Sequence, residues 1–215
     1  LTVNQVLECA IEDGLLYKNV CRKIHIKRPE PSSIHRALTD SEKKAISELK
    51  KENAFTDMEQ LYIDTLFVAG LRPAEALALT YLDVLNCQIR VSKDLSWRNG
   101  KHIKPPKSIA GYRTIDVPQW YQTEVNQYRA KYPDKSYLFT GKQGDCFSQS
   151  SYRRFWTNIY NKINSKLGGS PRVLFKGKAI NSGIEATDLT AYMFRHNYCT
   201  MLYYLKVDVK DAARL

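Results

Sequence analysis

Acidic side chains are scarce in this sequence: 22 Asp and Glu stand against 33 Lys and Arg over 215 residues, for a formal net charge of +11. A chain so short of negative charge points first to a polyanion, most often nucleic acid, although a merely basic soluble protein has the same balance. Cysteine pairing signals are also missing. The five cysteines (Cys9, Cys21, Cys87, Cys146 and Cys199) are odd in number and scattered, with no C-x-x-C pair. That argues against a disulfide framework and against a zinc site, and for a reducing compartment. No apolar run approaches membrane-spanning length and no signal peptide is visible, so the sequence reads as cytoplasmic.

The length allows one full domain and part of another. Val3, Val6, Leu7, Ala10, Ile11 and Leu15 form a helical stripe with no capping sequence before it, as expected of the end of a helical domain lying upstream (residues 1–26). Residues 18–37 turn basic and then proline- and serine-bearing, which is linker composition; the linker itself is assigned to 27–37. Lys18, Arg22, Lys23, Lys27 and Arg28 suit either a phosphate backbone or a solvated hinge.

The main domain opens at Leu38, where Thr39-Asp40-Ser41-Glu42 fits a capping box for a helix carrying Ala45, Ile46 and Leu49. Met58, Leu61, Tyr62, Thr65, Leu66 and Ala69 recur at helical spacing. Gly70 suits a left-handed C-terminal cap, Pro73 the first position of a second helix, and Ala74–Leu79 its body. Arg72 sits at this junction of apolar helices, where a solvated arginine would be out of place. A guanidinium there either pairs with Glu75 as a structural ion pair or presents its planar fork to a phosphate or carboxylate. Both readings stand at this point.

The pattern then changes to strands. Gln88–Asp94 and Lys101–Lys104 flank Asn99-Gly100, a strong hairpin signal, and Tyr112–Val117 reads as a third strand. Between the second and third strands a proline-stiffened loop, residues 105–111, presents Lys107. A small three-stranded antiparallel sheet with a basic loop is a plausible device for entering a DNA groove, and equally a solvated hairpin. Helices return at Trp120–Tyr132 and at 149–167. In the latter, Tyr152, Phe155, Trp156, Ile159, Tyr160, Ile163 and Leu167 form a core face, and Arg153, Arg154, Lys162 and Lys166 a basic one. Tyr137–Phe139 is extended, and 171–183 reads as irregular. In 187–206, Phe194, Tyr198, Met201, Leu202 and Leu205 make a core face. Tyr192, Arg195, His196, Cys199 and Tyr203 make a second face. The fold class is mixed α+β and mainly helical.

Three boxes in this order resemble the tyrosine recombinase (phage-type integrase) family. Ala69-Gly70-Leu71-Arg72-Pro73-Ala74-Glu75-Ala76-Leu77 is similar to its first arginine box. Pro106-Lys107-Ser108 with Arg113-Thr114-Ile115-Asp116-Val117-Pro118 resembles its catalytic-lysine hairpin. Thr190 to His196 resembles its H-x-x-R-H box except at the first position. The resemblance spans essentially the whole chain, with 1–26 as the end of a core-binding domain and 38–215 as the catalytic domain.

The resemblance implies a site-specific recombinase that cuts and rejoins DNA through a 3′-phosphotyrosyl link, for a mobile element such as a prophage or conjugative transposon in the bacterial cytoplasm. Arg72 and Arg195 would grip the scissile phosphate and Lys107 would protonate the leaving 5′ oxygen. Glu75 and His196 would support them, and Lys93, Lys101, Lys104, Arg153 and Arg154 would contact DNA. No metal or cofactor is needed. Partners would be double-stranded attachment sites, sister subunits in a tetramer on DNA, and a directionality factor. Two departures stand out. Tyr192 occupies the usual histidine position, where a phenol shuttles protons poorly at neutral pH but still donates a hydrogen bond. The nucleophilic tyrosine is expected beyond Leu215. A type IB topoisomerase-like enzyme and a non-catalytic DNA-binding relative of the same fold are the alternatives.

Overall fold

The computed structural model describes residues 3–23, 36–141, 144–175, 178–181 and 183–212. The chain divides into a small unit, Leu1–Ile34, and a larger one, His35–Leu215. In the small unit, α1 (Val3–Glu12) is followed by a 3-10 turn at Val20–Lys23. Asn19, buried, ties them together: its side-chain amide donates to Asn4 Oδ1 and Glu8 Oε1, both at 2.7 Å. The apolar stripe of α1 is present, with Leu7, Ala10 and Ile11 half-buried and Val3 and Val6 exposed. Residues 27–35 of the expected linker, including Lys27 and Arg28, lie outside the described residues, as do the side chains of Arg22 and Lys23.

The larger unit begins with two capped helices. In α2 (Asp40–Lys51) the capping box is as expected, the Glu42 carboxylate accepting from the Thr39 N–H at 2.8 Å. A second box, Thr56 with Glu59, starts α3 (Asp57–Ala69). Gly70 ends α3 in the left-handed region at φ 55°, and Pro73 opens α4 (Pro73–Ala76). The second helix is therefore a single turn rather than Ala74–Leu79. The chain beyond it is drawn into extended pairing instead, with the Leu138 N–H donating to the Leu79 oxygen at 2.8 Å and Thr80 bridging Tyr137.

The three-stranded antiparallel sheet is built from β1 (Val84–Leu85), β2 (Gln88–Val91) and β5 (Arg113–Asp116). The expected middle strand is elsewhere. β4 (His102–Lys104) pairs with β3 (Asp94–Ser96) as a separate hairpin across Asn99-Gly100, both at positive φ. Burial explains the exchange. Ile89, Val91 and Ile115 give β2 and β5 a common buried face, whereas β4 offers only half-buried Ile103 and cannot cover a core.

Helices α5 (Gln119–Lys131) and α6 (Gln149–Lys166) follow. On α6, Phe155, Ile159, Tyr160 and Ile163 are buried, with Tyr152, Trp156 and Leu167 packed at the margin. Residues 171–183, expected to be irregular, contain a β-hairpin of β6 (Val173–Phe175) and β7 (Lys178–Asn181). α7 (Ala191–Tyr204) packs on α3 through Phe194, whose ring lies 4.8 Å from that of Phe67, and a short α8 (Val209–Ala212) follows. Tyr198 and Leu202 share the buried face, but Met201 and Leu205 are exposed, because the last turn of α7 runs past the core.

Candidate active site

Two arginines from two elements grip one carboxylate, and a third lies within electrostatic reach of it. Arg72, the N-cap residue of α4, donates from Nη1 to Glu75 Oε1 at 2.8 Å, and its backbone N–H donates to Oε2 at 2.9 Å. Arg113, on β5, reaches the same carboxylate with both Nη atoms, at 3.2 and 2.8 Å. Arg195, one turn into α7, donates to the Gly70 carbonyl at 2.7 Å. Burial alone would push the Glu75 carboxyl up, but the hydrogen bonds from Arg113 and Arg72 hold it below its ordinary range. Burial, then the charges of Arg72 and Arg113, lower Arg195. The guanidiniums thus repel one another, and Glu75 offsets only part of that charge, an arrangement that favours an added anion.

The structure corrects the expectation that Arg72 is shielded. Its side chain is 51% exposed, while Glu75 is 5% and Arg113 7% exposed. Glu75 holds one edge of the Arg72 fork and leaves the rest facing outward. The residue missed from the sequence is Arg113. Its signal was available: Arg113, Ile115 and Val117 alternate onto one strand face, and Ile115 and Val117 are buried. A cation on that face requires a buried acid.

Lys107 is exposed on the loop between β4 and β5 and makes no hydrogen bond or ion pair among the described residues. The loop ends in a 3-10 turn, Ile109–Gly111, whose Gly111 oxygen accepts from Arg113 at 3.3 Å. A Cβ on Gly111 would lie 2.4 Å from Pro106, so this close approach requires glycine. Tyr192 is 51% exposed and stands near a tyrosine pair, Tyr62 and Tyr152, whose hydroxyls are 3.0 Å apart. Burial, with a further contribution from Tyr192, pushes Tyr152 up to about 12. His196 is half-buried on the same helix.

The outlying cations divide. Lys93 is engaged by buried Asp83 at 2.6 Å, Lys104 by Asp94 at 3.6 Å, and Lys101 by Asp145. Arg153 and Arg154 are exposed on α6 and have no partner among the described residues. Lys162 and Lys166, on the same helix, are tied to Glu59 at 2.5 Å and Glu52 at 2.6 Å. Two surface concavities, of about 450 and 510 Å³, lie between α3 and α5 and beside Arg36. Neither is lined by Arg72, Lys107 or Arg195. Of the three guanidiniums, that of Arg72 faces outward, where one phosphate of a long polymer could reach it.

This helical unit, with its small antiparallel sheet and its arginine-bearing helix α7, has a tyrosine recombinase or integrase-like fold. In particular, it is similar to the Tn1549 transposon integrase in complex with transposon right end DNA (TM-score 0.70, 18% identity, 97% of this chain and 66% of that one). It is also similar to XerA recombinase (TM-score 0.55, 16% identity, 86% and 56%) and to a lambda integrase dimer bound to a COC′ core site (TM-score 0.53, 15% identity, 97% and 66%). At such identities the likeness is one of fold, and the chain spans about two-thirds or less of each of these proteins. No protein-family model and no curated protein matches the sequence.

Proposed function

We propose that this chain is the phosphate-gripping part of a site-specific DNA recombinase that integrates or excises a mobile element. The observation that carries the reading is the gathering of Arg72, Arg113 and Arg195 near Glu75, with a loop whose Lys107 has no partner among the described residues, on an integrase-like fold. In-line attack on a phosphodiester builds negative charge on the nonbridging oxygens, and preset donors stabilise it without reorganising. Arg72 and Arg195 supply those donors. A tyrosine hydroxyl attacks phosphorus and releases its proton to solvent, the P–O5′ bond breaks, and Lys107 gives the departing oxygen its proton. The phosphotyrosyl link conserves the bond energy for rejoining.

The attacking tyrosine, on this reading, lies beyond Leu215, so these 215 residues bind DNA without completing cleavage. Tyr198 is buried in the core, and Tyr203 and Tyr204 begin eight residues after Arg195, roughly 12 Å along the helix axis. Arg153 and Arg154 are the proposed backbone contacts; Lys101 and Lys104 would reach DNA by leaving Asp145 and Asp94, and Lys93, expected in the same role, is held by buried Asp83. The working form is a tetramer on double-stranded attachment sites in a bacterial cytoplasm, steered by a directionality factor.

The test uses the full-length protein and nicked duplexes drawn from the DNA flanking its gene. A protein–DNA adduct that survives denaturation is expected from the wild type and not from Arg195→Ala. Tight, salt-sensitive binding with no adduct would instead assign the chain to a binding protein of this fold.

A further inference from the structure

Glu75 poses a problem for the reading above. A carboxylate 2.8 Å from Arg72 cancels much of the charge that Arg72 would offer a phosphate. Glu75 nevertheless does two things that Arg72 needs, fixing its backbone through the N–H bond and its fork through Nη1. An orienting group is useful there only if its own charge is neutralised from the other side.

Arg113 stands on that other side. It is 7% exposed, grips Glu75 with both Nη atoms, and is too enclosed to present a fork outward itself. Its Nη1 also donates to the Gly111 oxygen, at the end of the loop that carries Lys107. One buried guanidinium thus joins the carboxylate that aims Arg72 to the anchor of the lysine loop.

We propose that Arg113 is a positioning residue for phosphodiester cleavage: it neutralises and fixes Glu75, so that Glu75 aims Arg72 without quenching it. The proposal rests on the phosphate-gripping reading. The same geometry makes Arg113 dispensable where Glu75 carries no charge.

The experiment measures single-turnover adduct formation and DNA affinity, with full-length protein on a nicked duplex, for Arg72→Ala, Arg113→Met, Arg113→Lys, Glu75→Gln/Arg113→Met and Arg72→Ala/Arg113→Met. Arg113→Met is expected to slow adduct formation by about 10²-fold, with DNA affinity within about twofold of wild type. Adding Glu75→Gln is expected to recover at least tenfold, because the amide no longer quenches Arg72. That double variant also covers the case in which Arg113→Met, leaving buried Glu75 with Arg72 as its remaining hydrogen-bonded cation, fails to fold. Arg113→Lys, which keeps the charge but not the fork, should fall between wild type and Arg113→Met. Arg72→Ala/Arg113→Met should be no slower than Arg72→Ala alone. Multiplicative losses in that double variant, or no recovery with Glu75→Gln, would overturn the proposal. A full wild-type rate in Arg72→Ala would instead overturn the phosphate-gripping reading beneath it.

Discussion

Arg195 Nη1 donates to the carbonyl oxygen of Gly70 at 2.7 Å, linking residues 125 apart in the chain. The bond joins the helix that bears Arg195 to the turn that bears Arg72, so the two guanidiniums are held by one piece of backbone. Gly70 makes this possible twice over. It takes φ 55°, and it lies so close to Tyr198, the neighbour of Arg195 on α7, that a Cβ would sit 2.4 Å from the ring.

Gly70→Ala is therefore expected to destabilise the protein by about 2–4 kcal/mol, combining left-handed strain with overpacking against Tyr198. Thermal or urea denaturation measures it. A loss below about 0.5 kcal/mol would show that α7 shifts freely, and the Arg195–Gly70 tie would then not be rigid.

Tyr192 gives a second expectation. Tyr192→Phe removes one hydrogen-bond donor, worth about 1 kcal/mol, and should slow adduct formation roughly fivefold with DNA affinity unchanged. Tyr192→His should match or exceed wild type and add a rate inflection near the ordinary imidazole value of about 6.5. Equal rates in all three proteins would remove Tyr192 from the site.

Stability should depend on pH through Asp64 of α3 and Glu124 of α5. Burial raises both, Glu124 to about 7, with the Asp64 charge adding to it; Lys50 of α2 and Gln60 of α3 face the pair. A carboxyl whose folded pKa exceeds its unfolded 4.5 holds its proton longer in the native state. Its stabilisation is present at low pH and lost as pH climbs towards 7. Glu42 works the other way. Burial opposes its ionisation, but Arg36, Thr187 and the Thr39 N–H bring it to about 2, so its contribution is lost as pH falls below 4.5. Glu124→Gln should flatten the limb between pH 4.5 and about 7 by the order of 1 kcal/mol. An unchanged limb in the variant would place the effect elsewhere.

Binding to a generic duplex should weaken steeply with salt. Arg153→Gln and Arg154→Gln should each reduce the log–log salt slope by about 1 if each meets a phosphate. Lys93→Gln should cost stability instead, since it strands Asp83 buried without its closest cation. A changed slope for Lys93 alone would reverse that division.

Much of this was legible in the sequence because local chemistry carried it. The Thr39–Glu42 box, the Gly70 cap, Pro73 at a helix start and the α6 stripe each depend on neighbours within one or two turns. What escaped was set at long range. Strand β2 chose β5 over β4 according to which strand had apolar residues to bury. The last turn of α7 kept Leu202 in the core but not Met201 and Leu205, which are exposed. Arg113 went unremarked as a site residue because its partner, Glu75, lies 38 residues away. Arg72 is more exposed than its apolar flanks implied, since an N-cap position points a side chain out of the junction it closes.

The central claim is that Arg72 and Arg195 neutralise the scissile phosphate. The most direct measurement compares single-turnover cleavage by the wild-type, Arg72→Ala and Arg195→Ala proteins on two nicked duplexes. One carries an ordinary phosphodiester at the cleavage point and the other a neutral methylphosphonate. The account predicts losses of about 10²-fold or more for each alanine variant on the phosphodiester. On the methylphosphonate, where the charge to be met is gone, most of the loss should disappear for at least one of the two variants. Equal losses on both substrates would contradict it, and the arginines would then be holding the protein rather than the phosphate.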